Sequence, residues 1–425
     1  MSKRILVFPC GSEIGLEIHR ALRYSTHFDL VGASSVNDHG RFVYEAYVGD
    51  LPFHDSPDFF PRLAEIIQAY RIDALFPTMD AVAETLQNLA ECLGVRVIGS
   101  RPATTRICAS KSRTYDALND LIPTPSRYPD LAAVSSYPVF IKPDQGYGSR
   151  HAARADDAAS AAALLARQSG KDMLILEYLP GREWTIDCFS DRNGALLFHA
   201  ARGRDRVSNG ISVNTSPSLE FTELFADWAQ AINQRLHPRG AWFFQAKLDG
   251  AGQPKLLEVA ARFAGSSALQ RGLGVNLPLL SAFDAFDWPV SIAPNDYPIE
   301  LDRSLENRFR VQLAYRHVYV DLDDCLLVKG RVNTNLVAFL YKAIGEGCTV
   351  TLLTRHAGDL EATLRRTRLQ SIFDHIIHIV DDTPKSSHID SQAAIFIDDS
   401  FQERDRVARH LGIPVFAPDM IEALL

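Results

Sequence analysis

Short β-rich apolar runs separated by helix-length segments recur at both ends of this chain, and that alternation restricts the fold more than any other feature. A run over residues 4–8 precedes a helical pattern over 14–24, a run over 30–34 and a helix over 59–70. A run over 74–76, a helix over about 81–93 and a run over 95–99 complete the first series. Strands that alternate with helices pair in parallel, because each helix carries the chain back across the sheet. A second series starts with a run over 318–320 and continues to residue 425. Between the two, residues 109–298 read as hairpin-like strands among helices, and the alanine-rich stretch 152–166 reads as a helix. Ala293-Pro294-Asn295-Asp296-Tyr297-Pro298 is polar and proline-flanked, and a charged connector over 300–310 follows it, which marks a boundary. A chain of 425 residues exceeds one ordinary core. The expected division is 1–108, 109–298, a linker over 299–314, and 315–425, with α/β architecture throughout.

The formal charge is −8, so the chain as a whole offers no basic field to nucleic acid or to an anionic membrane. A polyphosphate would have to be held by a few placed cations and a metal. Six cysteines (Cys10, Cys92, Cys108, Cys188, Cys325 and Cys348) occur singly, without a Cys-x-x-Cys pair. That spacing argues against a zinc site or a disulfide framework and suits a reducing compartment. The apolar run near the amino terminus is too short for a signal peptide, and no stretch approaches the ~20 apolar residues of a membrane span. The expectation is a cytoplasmic protein with small-molecule partners. Oligomeric state is not legible.

Pro9-Cys10-Gly11-Ser12-Glu13-Ile14-Gly15 lies at the first strand-to-helix turn, where exposed amides can meet an anion. The same turn is needed for packing alone. The middle segment offers more. Val139-Phe140-Ile141-Lys142-Pro143 is a strand ending in a lysine, and Asp144-Gln145-Gly146-Tyr147-Gly148-Ser149-Arg150 is a glycine-rich loop whose amides could cover phosphates. Leu174-Ile175-Leu176-Glu177-Tyr178-Leu179 leads into Pro180-Gly181-Arg182-Glu183, and Glu258 sits inside the apolar strand Lys255-Leu256-Leu257-Glu258-Val259-Ala260-Ala261. A buried carboxylate is costly unless paired or metal-bound. Singly, each of these has a structural reading; their order along the chain does not.

In that order the segment from Ala109 to Leu280 resembles an ATP-grasp domain of the carbamoyl-phosphate synthetase-like branch, and residues 1–108 resemble the Rossmann-like domain that precedes it. The resemblance implies an α+β ATP-grasp fold that binds ATP and magnesium, with manganese as a substitute. It implies that Lys111 and Lys142 hold phosphates, that Gly146, Gly148 and Ser149 belong to the phosphate-covering loop, and that Glu177, Tyr178 and Leu179 read adenine at the hinge. It assigns the ribose to Glu183, the metal to Gln245 and Glu258, and the substrate or phosphate to Arg262. Arg202, Arg204 and Arg206 alternate on an expected strand and would share one face, and the resemblance implies that Arg204 holds an acyl phosphate or a substrate carboxylate. The chain departs from the family's Glu-x-Asn-x-Arg, since Glu258 and Arg262 bracket Ala260 in place of the asparagine. It also has His151 where a glycine commonly follows the Ser-Arg pair.

Near residue 320 a β-branched strand ends in Asp321-Leu322-Asp323-Asp324, acids that repel one another unless a cation intervenes. A strand over 349–353 ends in Thr354-Arg355-His356, a strand over 394–397 ends in Asp398-Asp399-Ser400, and Lys385 lies between them. All fall at the carboxyl ends of expected parallel strands, the edge at which doubly wound sheets place their chemistry. Residues 315–425 resemble the haloacid dehalogenase superfamily, with Cys325 where the first motif usually has threonine. The resemblance implies a nucleophilic Asp321, an acid/base Asp323, phosphoryl-holding Thr354 and Lys385, and magnesium on Asp321, Asp323, Asp398 and Asp399. The gaps between motifs leave no room for an inserted cap domain. The expected function is a bifunctional enzyme. Its first part is an ADP-forming carboxylate–amine ligase acting through an acyl phosphate. Its second part is a magnesium-dependent phosphatase acting on a phosphorylated small molecule. A small-molecule kinase with the same phosphatase, or a nucleotide-sensing module with an inert second domain, are the alternatives.

Overall fold

Strand β1 (Lys3–Phe8) sends alternate side chains to opposite faces, as extended backbone must. Ile5 and Val7 enter one apolar cluster with helix α1 (Glu13–Leu22), and Leu6 and Phe8 enter another. The chain continues through β2 (Phe28–Ala33), β3 (Ala46–Val48), α2 (Phe59–Tyr70), β4 (Ala74–Pro77), α3 (Asp80–Leu93) and β5 (Arg96–Val97). The sheet order is β3-β2-β1-β4-β5, parallel throughout. The computed structural model describes residues 2–146, 151–168, 170, 172–307, 309 and 311–425. They divide into two units, Met1–Leu305 and Glu306–Leu425.

The glycine turn after β1 is closed from within. A side chain at Gly11 would collide with the Asp38 carboxylate. That carboxylate accepts from Ser34 Oγ at 2.7 Å and from the Gly40 amide at 2.9 Å. The chain's own anion thus lies against this turn.

Three antiparallel sheets follow in the same unit, two of four strands and one of three. After α4 (Pro102–Cys108) and α5 (Lys111–Leu118) come β6 (Arg127–Tyr128), β7 (Val139–Pro143), β8 (Ala153–Ala155), α6 (Ala158–Arg167) and β9 (Met173–Glu177). The four strands pair in the order β6-β9-β7-β8. The stretch expected as one helix over 152–166 is therefore a strand and then a helix. Asp157 and Ser160 form a capping box, which starts α6 only after β8 has paired with β7. Next come β10 (Glu183–Ser190), β11 (Leu196–Gly203), β12 (Arg206–Ser208), β13 (Ile211–Thr215), α7 (Thr222–Leu236), β14 (Gly240–Leu248) and β15 (Pro254–Ala260). Helices α8 (Ala268–Gly272) and α9 (Leu277–Ala285) and strand β16 (Leu301–Asp302) end the unit. The larger sheet runs β11-β10-β14-β15, and α7 packs Phe225, Trp228, Ile232 and Leu236 onto Trp184, Trp242 and Phe244 from it. Fully burying one such aromatic stabilises by about 1.5–3 kcal/mol. Because β16 pairs with β13, the first unit runs past the boundary expected at residue 298.

The three arginines do not share one strand face, because β11 ends at Gly203 and the chain turns before β12. Arg202 is fully buried against Asp187, with Nε 2.7 Å from Oδ2. Arg204 follows the strand end, and exposed Arg206 pairs with Asp302 at 2.7 Å.

The second unit contains β17 (His317–Val320), the hairpin β18 (Leu327–Val328) and β19 (Arg331–Val332), and α10 (Thr334–Gly345). It continues with β20 (Thr349–Thr354), α11 (Leu360–Thr367), β21 (His375–His378), β22 (Ala394–Ile397), α12 (Phe401–Leu411) and β23 (Val415–Phe416). Its five-stranded sheet is parallel, in the order β21-β20-β17-β22-β23. Among the described residues no helix is long and apolar enough to cross a membrane.

Replacing Asp187 by alanine leaves the Arg202 guanidinium buried without its counter-charge, which costs about 3–5 kcal/mol. Chemical denaturation of Asp187→Ala should show that loss, and the double variant Asp187→Leu/Arg202→Met should recover most of it.

Candidate functional site

In the first unit, β7 buries Val139 and Ile141 with Ala161 of α6 and turns Lys142 to the opposite side. Lys142 is itself buried, and its Nζ donates to Tyr115 Oη at 3.1 Å and to the Leu257 carbonyl at 3.3 Å. Tyr115 Oη donates in turn to that carbonyl at 2.7 Å. Burial brings the Lys142 ammonium down to about 8, although Glu258, Glu183 and Asp144 oppose the shift. Lys111, the first residue of α5, donates to the carbonyls of Asp144 at 3.2 Å and Gly146 at 3.3 Å. Burial lowers it too; Glu258 acts against this, and Lys142 adds to it. Asp144 fastens α5 to the end of β7 by accepting from Ser110 Oγ at 2.6 Å and the Ser112 amide at 2.7 Å. Gly146 has φ +137°, which a side chain would strain. The loop members Gly148 and Ser149 lie outside the described residues.

β10 and β14 alternate, so the face of the larger sheet away from α7 gathers polar side chains together with Phe189, Ala241 and Phe243. Trp184, Ile186, Cys188, Trp242, Phe244 and Ala246 go to the α7 core, which leaves Glu183, Thr185, Asp187, Gln245 and Lys247 on the other side. Thr185 stands opposite Gln245, and Gln245 opposite Glu258, so the two expected metal ligands are cross-strand neighbours. A bulge at Gln245/Ala246 shifts the register so that Leu256 and Val259 are both in the core while Glu258 stays outside it. Among the described residues, neither the Gln245 side chain nor the Glu258 carboxylate has a hydrogen-bond or ion-pair partner. Two oxygen donors side by side, next to two lysines whose charge is disfavoured by burial, fit magnesium carried by a polyphosphate. Ala260, at the place of the family's asparagine, stands opposite Phe243 and packs with it and Ala264, so that vertex of the site is apolar.

The remaining expected residues are engaged. Glu177 pairs with Lys255 at 2.6 Å and accepts from the Ser126 amide at 3.1 Å. Arg154 lies over the Tyr178 ring at 4.8 Å, and Leu179 is buried. Glu183 has Arg204 Nε at 2.8 Å and Lys247 Nζ at 3.5 Å. Among the described residues the Arg204 Nε–H makes no hydrogen bond despite that approach, while Arg204 Nη2 donates to the Gly210 carbonyl at 2.9 Å. Arg262 stacks over the Phe243 ring at 5.4 Å and donates two bonds of 3.1 Å to Asp80 at the start of α3. Tyr115 and Asp80 escaped the sequence reading because neither belongs to a motif, and Asp144 and Lys255 were read only as the first residues of a loop and a strand; all four find their partners only after folding.

In the second unit, Asp321 directly follows β17 and Asp398 directly follows β22, two adjacent parallel strands. Lys385 Nζ lies between them, 2.8 Å from Asp321 Oδ1 and 2.6 Å from Asp398 Oδ2. Oxygens of Asp321, Asp398 and Asp399 all lie within 4.8 Å of one another. Burial raises the Asp321 carboxyl to about 6, with Lys385 pulling down and Asp398 pushing up. Burial opposes the Lys385 charge, but the two aspartates outweigh it and hold the ammonium above its ordinary value. Three carboxylates beside one ammonium suit a divalent cation in an all-oxygen site. Asp323 stands outside this cluster, with its carboxylate 2.9 Å from His356 Nδ1. His356 Nε2 in turn is 3.1 Å from Thr363 Oγ1. Thr354 is fully buried at the end of β20, and its Oγ1 accepts from the His356 amide at 3.2 Å. Cys325 is buried with its thiol against the Ile397 carbonyl, 3.8 Å away.

Residues 169–301 match the sequence family described as "ATP-grasp in the biosynthetic pathway with Ter operon". No curated protein matches the chain. Among solved structures, the fold is similar to that of the biotin carboxylase domain of 2-oxoglutarate carboxylase from Hydrogenobacter thermophilus, solved with MgADP, ADP and bicarbonate. The TM-score is 0.59 at 18% identity, over 69% of this chain and 72% of that one. N5-carboxyaminoimidazole synthetase from Staphylococcus aureus, complexed with ADP, gives 0.57 at 13% identity over 69% and 79%. L-amino acid ligase from Bacillus licheniformis gives 0.53 at 19% identity over 67% and 74%. With its two four-stranded antiparallel sheets, its lysine-bearing strand and its paired Gln245 and Glu258, the chain carries an ATP-grasp domain.

Proposed function

We propose that the first unit is an ATP- and magnesium-dependent, ADP-forming carboxylate–amine ligase and that the second is a magnesium-dependent phosphohydrolase. The observation that carries the first reading is the pair of oxygen donors Gln245 and Glu258 on adjacent strands, unpartnered among the described residues and next to Lys142 and Lys111. Magnesium on those oxygens would neutralise the terminal phosphates. Lys142 and Lys111 hold the phosphate chain, and Glu183 receives the ribose once Arg204 and Lys247 give it up. A substrate carboxylate oxygen then attacks the γ-phosphorus in line while the bond to the β-phosphate oxygen breaks, a step governed chiefly by positioning. An amine attacks the carbonyl carbon of the acyl phosphate, the carbon–oxygen bond breaks, the leaving phosphate takes the proton the nitrogen loses, and amide and hydrogen phosphate leave. Support comes from the fold neighbours, one of which holds MgADP and bicarbonate while another is an L-amino acid ligase.

In the second unit the reading rests on Asp321, whose Oδ1 is held at 2.8 Å by Lys385 at the carboxyl edge of a parallel sheet. Asp321 is the nucleophile toward a phosphate monoester, Thr354 and Lys385 hold the phosphoryl oxygens, and Asp323 passes the proton to the leaving oxygen. Asp398 and Asp399 complete the metal site.

Glu258→Ala should abolish ADP release with every acid and amine pair that supports it in the unaltered protein, as followed by a coupled ADP assay. Turnover that persists in this variant would defeat the ligase reading, and ADP release without any amine would favour a kinase. Asp321→Asn should eliminate hydrolysis of para-nitrophenyl phosphate and leave ADP release intact. Nucleotide affinity should also depend on pH with a definite sign. Phosphates favour charged Lys142, which free protein already holds below about 8. Above that value binding must take up a proton, so apparent affinity falls by up to about tenfold per pH unit. Calorimetric titration of a non-hydrolysable ATP analogue with magnesium at pH 7 and pH 9 measures this, and Lys142→Met should flatten the difference.

A further inference from the structure

At the carboxyl edge of the amino-terminal sheet, two acids open helices that flank the crossing between β1 and β4. Glu13 opens α1 and Asp80 opens α3. Each is paired with an arginine from the ATP-grasp part of the unit. Arg262 binds Asp80 through two bonds of 3.1 Å, and Arg303 binds Glu13 at 2.9 Å. The two pairs belong to one field. Burial works against the Arg262 charge, yet Asp80, Glu258 and Glu13 together hold it above its ordinary value. Arg262 thus lies within electrostatic reach of both acids and of the expected metal carboxylate. The backbone comes close here as well. A Cβ at Gly265 would lie 2.6 Å from Glu13 Oε1, so a side chain there would push the Glu13 carboxylate aside. Two residues on, the Ser267 hydroxyl is buried and has no partner among the described residues.

Glu13 and Arg303 have side chains 38% and 23% exposed, and Asp80 and Arg262 30% and 19%, so a solute can reach all four. Two carboxylates and two guanidiniums sum to zero. A dianion such as phosphate would take both arginines and leave the acids unpaired, and a diamine would do the reverse. A molecule with one charge of each sign keeps the sum at zero, its cation shared by the two acids and its anion by the two arginines.

We infer that Glu13, Asp80, Arg262 and Arg303 form the subsite for a zwitterionic α-amino acid, with the acids receiving its ammonium and the arginines its carboxylate. This rests on the ligase reading and names the class of its amine substrate. No motif read from the sequence contains Asp80 or Arg303, and Glu13 was read only as part of the glycine turn after β1.

The test uses the full chain with magnesium and a non-hydrolysable ATP analogue, titrated with each proteinogenic amino acid, its N-acetyl derivative and its amide. At least one free amino acid should raise the melting temperature, while its N-acetyl and amide forms do not. Glu13→Gln and Asp80→Asn should each weaken that amino acid about tenfold, the loss of one charge-assisted bond, with nucleotide affinity unchanged. Unchanged nucleotide affinity certifies the fold, and if Glu13→Gln unfolds, Asp80→Asn and Arg303→Lys carry the same reading. The subsite is overturned if no free amino acid binds, if the N-acetyl form binds equally well, or if the folded variants keep full affinity. Failure of the ligase reading looks different. Amino-acid binding and its loss in the variants would persist, while no carboxylic acid yields ADP. ADP release supported by simple alkylamines but by no amino acid would keep the ligase and remove the subsite.

Discussion

The ammonium of Lys142 joins three separate pieces of the first unit. Its bonds reach Tyr115 on α5 and the Leu257 carbonyl on β15, while its own strand belongs to the sheet β6-β9-β7-β8. A cation with few protein acceptors and no full hydration shell is poorly satisfied, and burial lowers its proton affinity accordingly. The arrangement therefore holds the two sheets in register and leaves a site whose best remaining partner is an anion. Asp144 does the corresponding work for Lys111 by capping α5 against the end of β7. Structure and binding capacity have the same origin here: positive charge held where water cannot neutralise it.

The two parallel sheets have one strand order and use the same edge in different ways. In the amino-terminal sheet the glycine turn is filled by Asp38, and Glu13 and Asp80 meet arginines supplied from far along the chain. In the carboxy-terminal sheet Asp321 and Asp398 meet Lys385 from the same unit, with Asp399 adding a third negative group. Strand ends at such an edge gather side chains from several loops, so the fold fixes the location and leaves the chemistry to the loops.

The parallel sheets were legible because their strands are continuous apolar runs, and a strand over 394–397 and a helix over 59–70 come out with the expected ends. The placement of Lys142 and Glu258 on strands, and of Asp398 just past one, follows from the same runs. What escaped was decided by tertiary partners. The alanine-rich stretch has helical propensity throughout, but β7 recruits its first residues as an edge strand. The run of arginines has perfect alternation, yet Arg202 is drawn inward by Asp187 and the strand stops one residue later. The three-residue strand β3 carries too short a pattern to signal itself. Asp80 and Lys255 are single charges whose partners lie 182 and 78 residues away, a separation that local pattern cannot bridge.

Charge counting separates the two magnesium sites under the proposed reading. Gln245 and Glu258 together carry one negative charge, and Lys142 and Lys111 stand beside them with two positive ones. Asp144 and Glu183 act on the same lysines, so the protein alone offers a bare divalent ion no surplus of negative charge, and the metal is best accepted with a polyphosphate already attached. Asp321, Asp398 and Asp399 carry three negative charges against the single ammonium of Lys385. That surplus attracts a free ion before any phosphate ester arrives, and it explains how burial can push Asp321 up to about 6 while the neighbouring lysine pulls it down. The apolar packing of Ala260 against Phe243 fits the same contrast. A metal that arrives bound to phosphate oxygens and water requires fewer protein ligands than one the protein must hold alone.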